Sequence, residues 1–335
     1  MNGKKKAVAG IFQYSGLFSL LRKFPSHSLV VLNYHRIREN MHQSSRFDDD
    51  VFFGPDAETF QAQMKWLKSN SDVLSECDLL SCLTCMKFPA RPSLVTFDDG
   101  YEDNYSIAYP ILRALQVPAI YFIATEMVES RQLRWWDLIA YCVKQTRKRE
   151  ISLLGEKYAI QPGGLECIRV LHAVMKKRKA AETAHLIEEL FSICDVEFPS
   201  LDLQSREIMT WDQIKEVDRN GISIGAHSHQ HKVLSTMTKE DQYEDLAICK
   251  KLLEERLGRT VRTLAYPVGA PDAFSETTMA AARAAGFEIA FSYMGGRPKE
   301  IKQMDLFAFP RVAAPESLWE FIALVSLPEV FYIRD

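Results

Sequence analysis

The 335-residue sequence lacks several features that would place it in a specialised class of protein. Its net charge is −3, and no run of lysine and arginine is long enough to form the basic surface that nucleic acid requires. It has no internal repeat and no low-complexity tract, which argues against a repeat architecture. At 47% hydrophobic and 25% charged residues, the composition is that of an ordinary folded protein whose core needs no disulfides.

The number and spacing of the cysteines argue against a disulfide framework. The seven cysteines are an odd number and lie scattered along the chain. The lone CxxC, Cys82 to Cys85, has no second pair with which to complete a zinc ribbon. It lies in a stretch predicted to be helical, residues 79–86, so we interpret the two thiols as neighbours one turn apart.

No hydrophobic run is long enough to span a bilayer or to act as a typical signal peptide. Polar residues interrupt the most apolar N-terminal stretch, residues 7–21, and Arg22 and Lys23 follow it. We predict that residues 1–27 form an amphipathic segment. Two arrangements of residues 4–23 are equally well supported. The segment lies on a membrane surface, or it packs on the protein itself. Without a convincing signal peptide, we expect a cytoplasmic location, either free in the cytoplasm or at the inner face of the membrane.

Short β-like runs alternate with longer helical patterns, which predicts a parallel α/β fold. The predicted strands are residues 28–34, 93–97, 119–124, 222–226, 263–266 and 288–292. The predicted helices are residues 57–69, 105–115, 239–257 and 277–285. The alternation stops at about 131–206, a mainly helical stretch that we interpret as an insertion in one domain spanning 28–335.

Polar clusters directly follow four of the predicted strands. Because active sites of parallel α/β barrels form at the carboxyl ends of the strands, these clusters should meet at one mouth. They are Tyr34-His35, Asp98-Asp99-Gly100, the stretch from His227 to His231, and Tyr266-Pro267.

The adjacent carboxylates Asp98 and Asp99 are costly to bury unless a cation or hydrogen bonds compensate them. Neighbouring side chains of a strand point to opposite faces, so one cation is not expected to bind both in the same way. We expect a division of labour, in which one carboxylate binds a cation and the other handles a proton. The alternative is a simple turn, since Asp-Asp-Gly is common in turns.

Three of the eight histidines lie within residues 227–231, and imidazole is the commonest protein metal ligand. A helical turn would bring His227 and His231 to one face, whereas an extended chain would align His227 with His229. Spacing alone does not choose between them. Two histidines and one carboxylate leave coordination positions open for water and substrate, as catalytic zinc requires. A surface cluster of unrelated histidines is the alternative.

In this order, TFDDG at 96–100, HSxxH at 227–231 and AYPVG at 265–269 resemble the motifs of the NodB-type polysaccharide deacetylases, carbohydrate esterase family 4. The resemblance runs from about residue 29 to 312 and implies a distorted (β/α) barrel, incomplete relative to a TIM barrel. It implies that Asp98 is the general base. It also implies one divalent metal ion, zinc first and other first-row metals as alternatives. The implied metal ligands are Asp99, His227 and His231.

The resemblance leaves His229 at a variable position, where it is not expected to bind the metal. We assign substrate contacts to Tyr266, Pro267, Val268 and Tyr101. A backbone N–H of the 266–269 turn would stabilise the oxyanion.

Two departures from the family pattern concern the residues that assist Asp98. Ala265 stands where the family's third motif begins with arginine, so we propose Arg311 as the tether of Asp98, with a surface salt bridge as the alternative. No histidine follows His231, although the family's general acid is a late histidine. The early Tyr-His pair resembles that of the branch with the poly-N-acetylglucosamine deacetylases, which implies that His35 is the acid. The alternative is a buried structural histidine.

These residues predict a hydrolase that removes N-acetyl groups from aminosugars of a polysaccharide or a lipid-linked oligosaccharide. An O-acetyl esterase or a small-amide amidohydrolase would use the same site. A non-catalytic glycan-binding member is a further alternative, although a binding module needs no acid and base beside a metal.

Overall fold

The computed structural model describes residues 28–40, 47, 53–176, 178, 180–296 and 304–326. The predicted amphipathic segment, residues 1–27, lies outside the described residues. Among the described helices, none has the length and apolar character needed to cross a membrane.

The described residues form twelve strands and a comparable number of helices. The strands are β1 (Val30–Tyr34), β2 (Arg36–Arg38), β3 (Phe53–Asp56), β4 (Asp72–Val73), β5 (Pro92–Phe97), β6 (Ala119–Ile123), β7 (Glu150–Leu153), β8 (Glu156–Ala159), β9 (Ile222–Ala226), β10 (Thr263–Ala265), β11 (Ile289–Phe291) and β12 (Val312–Ala313). The helices are α1 (Ala57–Asn70), α2 (Glu76–Thr84), a π-helical stretch (Asn104–Ala108), α3 (Tyr109–Leu115), α4 (Thr125–Ser130), α5 (Trp135–Gln145), α6 (Leu165–Met175), α7 (Ala180–Cys194), α8 (Leu201–Ser205), α9 (Trp211–Arg219), a 3₁₀ turn (Leu234–Thr236), α10 (Lys239–Leu257), α11 (Glu276–Ala284) and α12 (Leu318–Ser326).

Eight parallel strands form the central sheet, in the order β11-β10-β9-β6-β5-β1-β12, with β4 also paired to β5. Strands β1, β5 and β6 are buried along their whole length, as expected where both faces of a parallel sheet are covered. Alternate side chains serve two cores. Val31, Leu94 and Phe122 fill the barrel interior, whereas Val30, Val95 and Phe97 pack under the helices.

One segment, residues 306–314, connects the two edges of the sheet. The Phe309 N–H donates to the Ala290 carbonyl at 3.0 Å, beside β11. Val312 pairs with Leu32 of β1, and the Ala314 N–H donates to the Asn33 carbonyl at 3.0 Å. The sheet therefore curls into a distorted barrel, and the predicted fold class is confirmed.

The predicted insertion has a hydrophobic core of its own, formed by α5, α6, α7 and the β7–β8 hairpin. Ile139, Ile168, Leu190 and Phe191 lie at its centre, each with at most 2% of its surface exposed. Helix α5 joins this core to the barrel, because its first turn reaches the mouth. The boundaries of the domain and of the insertion stay a prediction.

Candidate active site

Asp98 lies at the end of β5 and faces into the barrel, because it continues the inward alternation of Leu94 and Thr96. Arg311, only 1% exposed, holds it with two hydrogen bonds, Nη1 to Oδ1 at 2.7 Å and Nη2 to Oδ2 at 2.8 Å. Such a bidentate pair fixes both position and orientation of the carboxylate. The structure thus brings the predicted tether to the predicted base from the segment that closes the barrel.

Asn33, in the middle of the site, was not among the predicted residues. Its Nδ2 donates to Asp98 Oδ2 at 3.1 Å, and its Oδ1 accepts from Arg311 Nη1 at 2.6 Å. Thr96 Oγ1 also donates to that Oδ1 at 2.9 Å. Asn33 therefore bridges the base and its tether. Its place two residues before His35, on the inward face of β1, is the signal that could have identified it.

Asp99, His227 and His231 converge on one point of the mouth. Asp99 Oδ1 lies 3.4 Å from His227 Nε2 and 3.0 Å from His231 Nε2. The ligand atoms of all three lie within 4.8 Å of one another, and no second group of this kind occurs in the part of the chain that the structure describes. Asp99 adopts φ 77°, which turns its side chain toward the mouth although its neighbour Asp98 faces inward.

The donor set fits a divalent metal ion. His227 Nδ1 is 2.8 Å from the Ala265 carbonyl, which favours a proton on Nδ1 and leaves the Nε2 lone pair free to ligate. Asp99 Oδ1 is buried, and the two histidines are its only polar neighbours identified among the described residues. Bonds of ~2.0–2.2 Å around tetrahedral zinc separate neighbouring ligand atoms by roughly 3.4 Å, close to the separations here.

The loop from His227 to His231 follows neither helical nor extended geometry. Ser228 and His231 have positive φ angles of 60° and 53°. The Asp245 carboxylate, on α10, accepts from the backbone N–H groups of His229 at 2.7 Å and Gln230 at 2.9 Å. Sequence reasoning missed Asp245, and no local signal marks it.

His229 does not join the metal cluster. Its Nδ1 lies 2.9 Å from Thr125 Oγ1, at the start of α4. The side chain therefore faces α4, in agreement with the variable position that the family resemblance gave it.

His35 lies at the mouth beside Asp98, with 22% of its side chain exposed. Its Nε2 is 3.8 Å from Asp98 Oδ2, and His227 Nε2 is 3.9 Å from the same oxygen. The His35 and Tyr293 rings are nearly perpendicular, with 6.5 Å between their centroids. Asp98 Oδ2 thus lies between the predicted acid and a predicted metal ligand.

Burial and neighbouring charges set the protonation of this pair. Burial lowers the pKa of His35, because it disfavours the imidazolium by more than Asp98 and Asp99 favour it. Burial alone would raise the pKa of Asp98, but Arg311 and His227 outweigh it and keep that pKa below its usual value. Asp98 is therefore ionised across the ordinary pH range.

The AYPVG turn follows β10 beside His227. Tyr266 is 1% exposed, its hydroxyl donates to the Phe307 carbonyl at 3.0 Å, and Pro267 is also buried. Tyr266 belongs to the core under the helices and Pro267 has little exposed surface, so the structure adds no support for the substrate contacts predicted for them, which stay predictions. Val268 is 37% exposed and is the one predicted contact in this turn that faces solvent.

Only one N–H of this turn is available to a ligand. The Tyr266 N–H donates to Phe291 at 3.0 Å, that of Gly269 donates to Pro267 at 2.6 Å, and proline has none. No acceptor for the Val268 N–H occurs in the described ranges. Gly269 cannot be replaced without a shift, since a Cβ there would lie 2.7 Å from the Tyr293 nitrogen.

Tyr101, the remaining predicted substrate contact, is fully buried under the bridge that it forms with Ile208. Its hydroxyl donates to the Asp137 carboxylate at 3.0 Å and accepts from Trp136 Nε1 at 2.7 Å. The prediction of direct substrate contact is therefore not supported, because no part of the side chain is exposed. Asp137 is 2% exposed, and its carboxylate accepts the Tyr101 hydrogen bond, so it is not positioned to give a proton to a substrate in the cleft.

A family model described as polysaccharide deacetylase matches residues 86–151 and 164–290, more than half of the chain. A Bacillus subtilis protein, YxkH, whose name gives polysaccharide deacetylase as a provisional function, is 25% identical over 255 residues, which are 76% of this chain and 63% of that protein. The poly-beta-1,6-N-acetyl-D-glucosamine N-deacetylase of Staphylococcus aureus is 32% identical over 129 residues, 35% of this chain and 43% of that protein. Each match spans less than two thirds of the relative.

Solved structures share the fold. The Streptococcus pyogenes deacetylase PplD, in complex with acetate, superposes with a TM-score of 0.58 at 17% identity, covering 90% of this chain and 99% of that one. IcaB from Ammonifex degensii superposes with a TM-score of 0.56 at 20% identity, with the same coverage. At these identities the likeness establishes the fold alone.

Proposed function

Because the chain belongs to the polysaccharide deacetylase family, we propose that it hydrolyses the N-acetyl group of aminosugars in a polysaccharide or a lipid-linked oligosaccharide. The observation that carries this proposal is the position of Asp98 Oδ2. It lies 3.8 Å from His35 Nε2 and 3.9 Å from His227 Nε2, while Arg311 holds the carboxylate. The name of the Staphylococcus aureus relative supports a poly-N-acetylglucosamine as one substrate to test.

We propose that Asp99, His227 and His231 hold one divalent metal ion, with zinc as the first choice. When bound, such an ion would polarise the acetyl carbonyl and lower the pKa of a water molecule. The buried Asp99 Oδ1, whose only identified polar neighbours among the described residues are the two histidines, supports this assignment. Two histidines and one carboxylate are also acceptable to other first-row metals.

Asp98 acts as the general base in this proposal. It accepts the proton of the water that attacks the acetyl carbonyl carbon. Its pKa is held low, so it is ready to accept a proton at neutral pH. Arg311 and Asn33 fix both carboxylate oxygens, which keeps the base in one orientation through the reaction.

His35 acts as the general acid and gives its proton to the amine nitrogen as the carbon–nitrogen bond breaks. The products are acetate and a free aminosugar. An amide nitrogen is a poor leaving group unless it is protonated, so this step needs a positioned donor. His35 is the described histidine at the mouth that is assigned neither to the metal cluster nor to the contact with Thr125.

The Val268 N–H stabilises the oxyanion that forms on the acetyl oxygen. It is the one donor of the 266–269 turn without an acceptor among the described residues. A fixed backbone donor of this kind stabilises the transition state without reorganisation. His227, hydrogen-bonded to the Ala265 carbonyl, keeps this turn beside the metal ligands.

The test is acetate release from poly-N-acetylglucosamine, chitooligosaccharides and lipid-linked aminosugars, after chelation and after addition of zinc. We expect activity on at least one of them that depends on added metal and is lost in Asp98→Asn. Asp202→Asn, a change in an exposed ion pair, is the matched control and should be fully active. Hydrolysis of O-acetyl esters without any N-deacetylation would replace this proposal by the esterase alternative.

We also propose that the protein works in the cytoplasm at the inner face of the membrane, on a precursor glycan. The support is the amphipathic pattern of residues 4–23, which lie outside the described residues. Deletion of residues 1–23 should leave a folded, active enzyme that no longer sediments with anionic vesicles. Loss of folding after this deletion would favour packing of the segment on the protein itself.

A further inference from the structure

A chain of hydrogen-bonded side chains connects the insertion to the metal cluster. The Trp136 ring lies 4.7 Å from the His231 ring, between centroids. Trp136 Nε1 donates to the Tyr101 hydroxyl at 2.7 Å, and that hydroxyl donates to the Asp137 carboxylate at 3.0 Å. Trp136 and Asp137 belong to the first turn of α5, whereas Tyr101 follows Asp99 by two residues. Both ends of this chain therefore belong to α5 of the insertion, its middle member belongs to the barrel, and Trp136 contacts a proposed metal ligand.

The two histidines of the cluster are held in different ways. His227 Nδ1 is hydrogen-bonded to the Ala265 carbonyl, which is the usual means of fixing the ring of a ligand. His231 Nδ1 is buried, and no hydrogen-bond partner for it occurs among the described residues. Its ring packs against the rings of His227, at 4.8 Å, and Trp136. Packing must therefore orient His231 where a hydrogen bond orients His227.

Trp136 keeps a fixed position against the His231 ring because a buried ionic group holds Tyr101, its hydrogen-bond partner. The Arg36 guanidinium lies 4.4 Å from the centre of the Tyr101 ring. Its Nη1 is 3.8 Å from Asp137, and its Nε donates to Asp103 at 2.7 Å. Arg36 is 4% exposed, so these charges lie in a region of low dielectric, where displacement of one partner is costly.

The insertion holds Trp136 from the opposite side. His172, on α6, lies with its Nε2 3.1 Å from the Trp136 carbonyl, and its ring packs edge-on against Trp135 at 5.6 Å. Trp136 itself is 3% exposed. The indole is thus held by the barrel through Tyr101, and the backbone of the same residue is held by the insertion through α6.

We propose that Tyr101 and Trp136 are positioning residues for His231, and that α5 of the insertion thereby sets the metal affinity of the site. The inference rests on the proposed function, because it requires the metal centre. It assigns a role to the insertion and to Tyr101 that needs no contact with substrate. The described contacts do not place either side chain on Asp98 or His35.

The test is zinc affinity, measured in the metal-free full chain by competition with a chromophoric chelator. Tyr101→Phe keeps the ring and removes only the hydroxyl. Trp136→Phe removes the indole N–H and reduces the aromatic surface that packs against His231. Loss of a partner that orients a ligand typically costs 10–100-fold in metal affinity, and we expect about that loss in both variants. Tyr121→Phe is the matched control. It loses an equally buried hydroxyl bond, to the Asn104 carbonyl at 2.9 Å, and should bind zinc as the parent does.

The cobalt(II) absorption spectrum separates positioning from general damage. A reoriented His231 should change the visible bands of the cobalt-loaded Tyr101→Phe and Trp136→Phe proteins, while the Tyr121→Phe spectrum should match the parent. Thermal unfolding of the metal-free proteins reports stability separately. Parent-like zinc affinity and cobalt spectra in both variants would overturn the inference.

The same experiment distinguishes failure of the inference from failure of the proposed function. If the parent protein binds neither zinc nor cobalt, the metal centre is wrong and the inference is overturned with it. If the parent binds zinc tightly and the two variants do too, only the inference is overturned.

Discussion

Replacement of Arg311 by methionine tests how the site is held together. The side chain is 1% exposed, and it donates to both oxygens of Asp98 and to Asn33 Oδ1. In Arg311→Met, Asp98 keeps the Asn33 amide as a hydrogen-bond donor but has lost its counter-ion. Removal of one partner of a buried ion pair costs about 3–5 kcal/mol, because the other charge is left uncompensated. We expect a loss of that size in the free energy of unfolding at neutral pH.

The loss in the free energy of unfolding should depend on pH, because protonation of Asp98 removes its uncompensated charge. In the parent, Arg311 holds the pKa of Asp98 below its usual value against the effect of burial. That contribution to stability is present above the unfolded pKa of about 3.9 and is lost as the pH falls through the folded pKa. In the variant the largest opposing contribution is gone, so burial raises the pKa of Asp98 relative to the parent, although His227 and His35 still oppose it. The difference between the two proteins should therefore shrink as the pH is lowered from about 7 toward about 4.

Urea unfolding at several pH values measures both effects. Arg262→Met is the matched control, because Arg262 makes an equally short pair with Glu288, at 2.6 and 2.8 Å, on an exposed surface. Exposed pairs contribute about 0–1 kcal/mol, so this variant should lose little stability at any pH. The double variant Asp98→Asn/Arg311→Met should recover part of the loss. A pH-independent loss of under about 1 kcal/mol in Arg311→Met would refute the reasoning.

Three further predictions concern the acid and the metal. His35→Gln should lower kcat on an N-acetyl amide by about 10²–10⁴-fold while an activated aryl acetate is hydrolysed almost normally; equal losses on both would make His35 a structural residue. Since burial lowers the pKa of His35 below its usual value of about 6.5, kcat/KM should already be falling as the pH rises toward about 6.5, and this basic limb should flatten in His35→Gln. His227→Ala should abolish zinc binding measured by elemental analysis, whereas His229→Ala should retain it, because the His229 ring faces Thr125; an empty site in His229→Ala would contradict the HSxxH assignment.

The sequence predicted the parts of the site that depend on strand ends. The alternation of side chains along β1 and β5 is regular, so the polar residues after these strands meet at one mouth, as expected. The contact of Arg311 with Asp98 lies within reach of the same reasoning, since both belong to segments of one barrel. Their catalytic roles stay predictions.

The remaining parts of the site depend on backbone geometry that the spacing of residues along the sequence does not determine. The positive φ angles of Ser228 and His231 break both the helical and the extended periodicity, so the three histidines could not be assigned by spacing. Asp245 lies a helix away from the loop that it anchors. Tyr101 was predicted to contact substrate, but its side chain is fully buried, and no pattern in the sequence predicts its pairing with Ile208.

Closure of the barrel by residues 306–314 has a consequence for synthesis of the protein. Arg311 is 213 residues from Asp98 and 278 from Asn33, so the site joins both halves of the chain. Contacts over such separations form slowly, because long loops must close first. Until residues 306–314 leave the ribosome, β1 and β11 present open edges, on which other chains can add strands. The segment that carries the proposed tether of Asp98 therefore also protects the nascent barrel from aggregation.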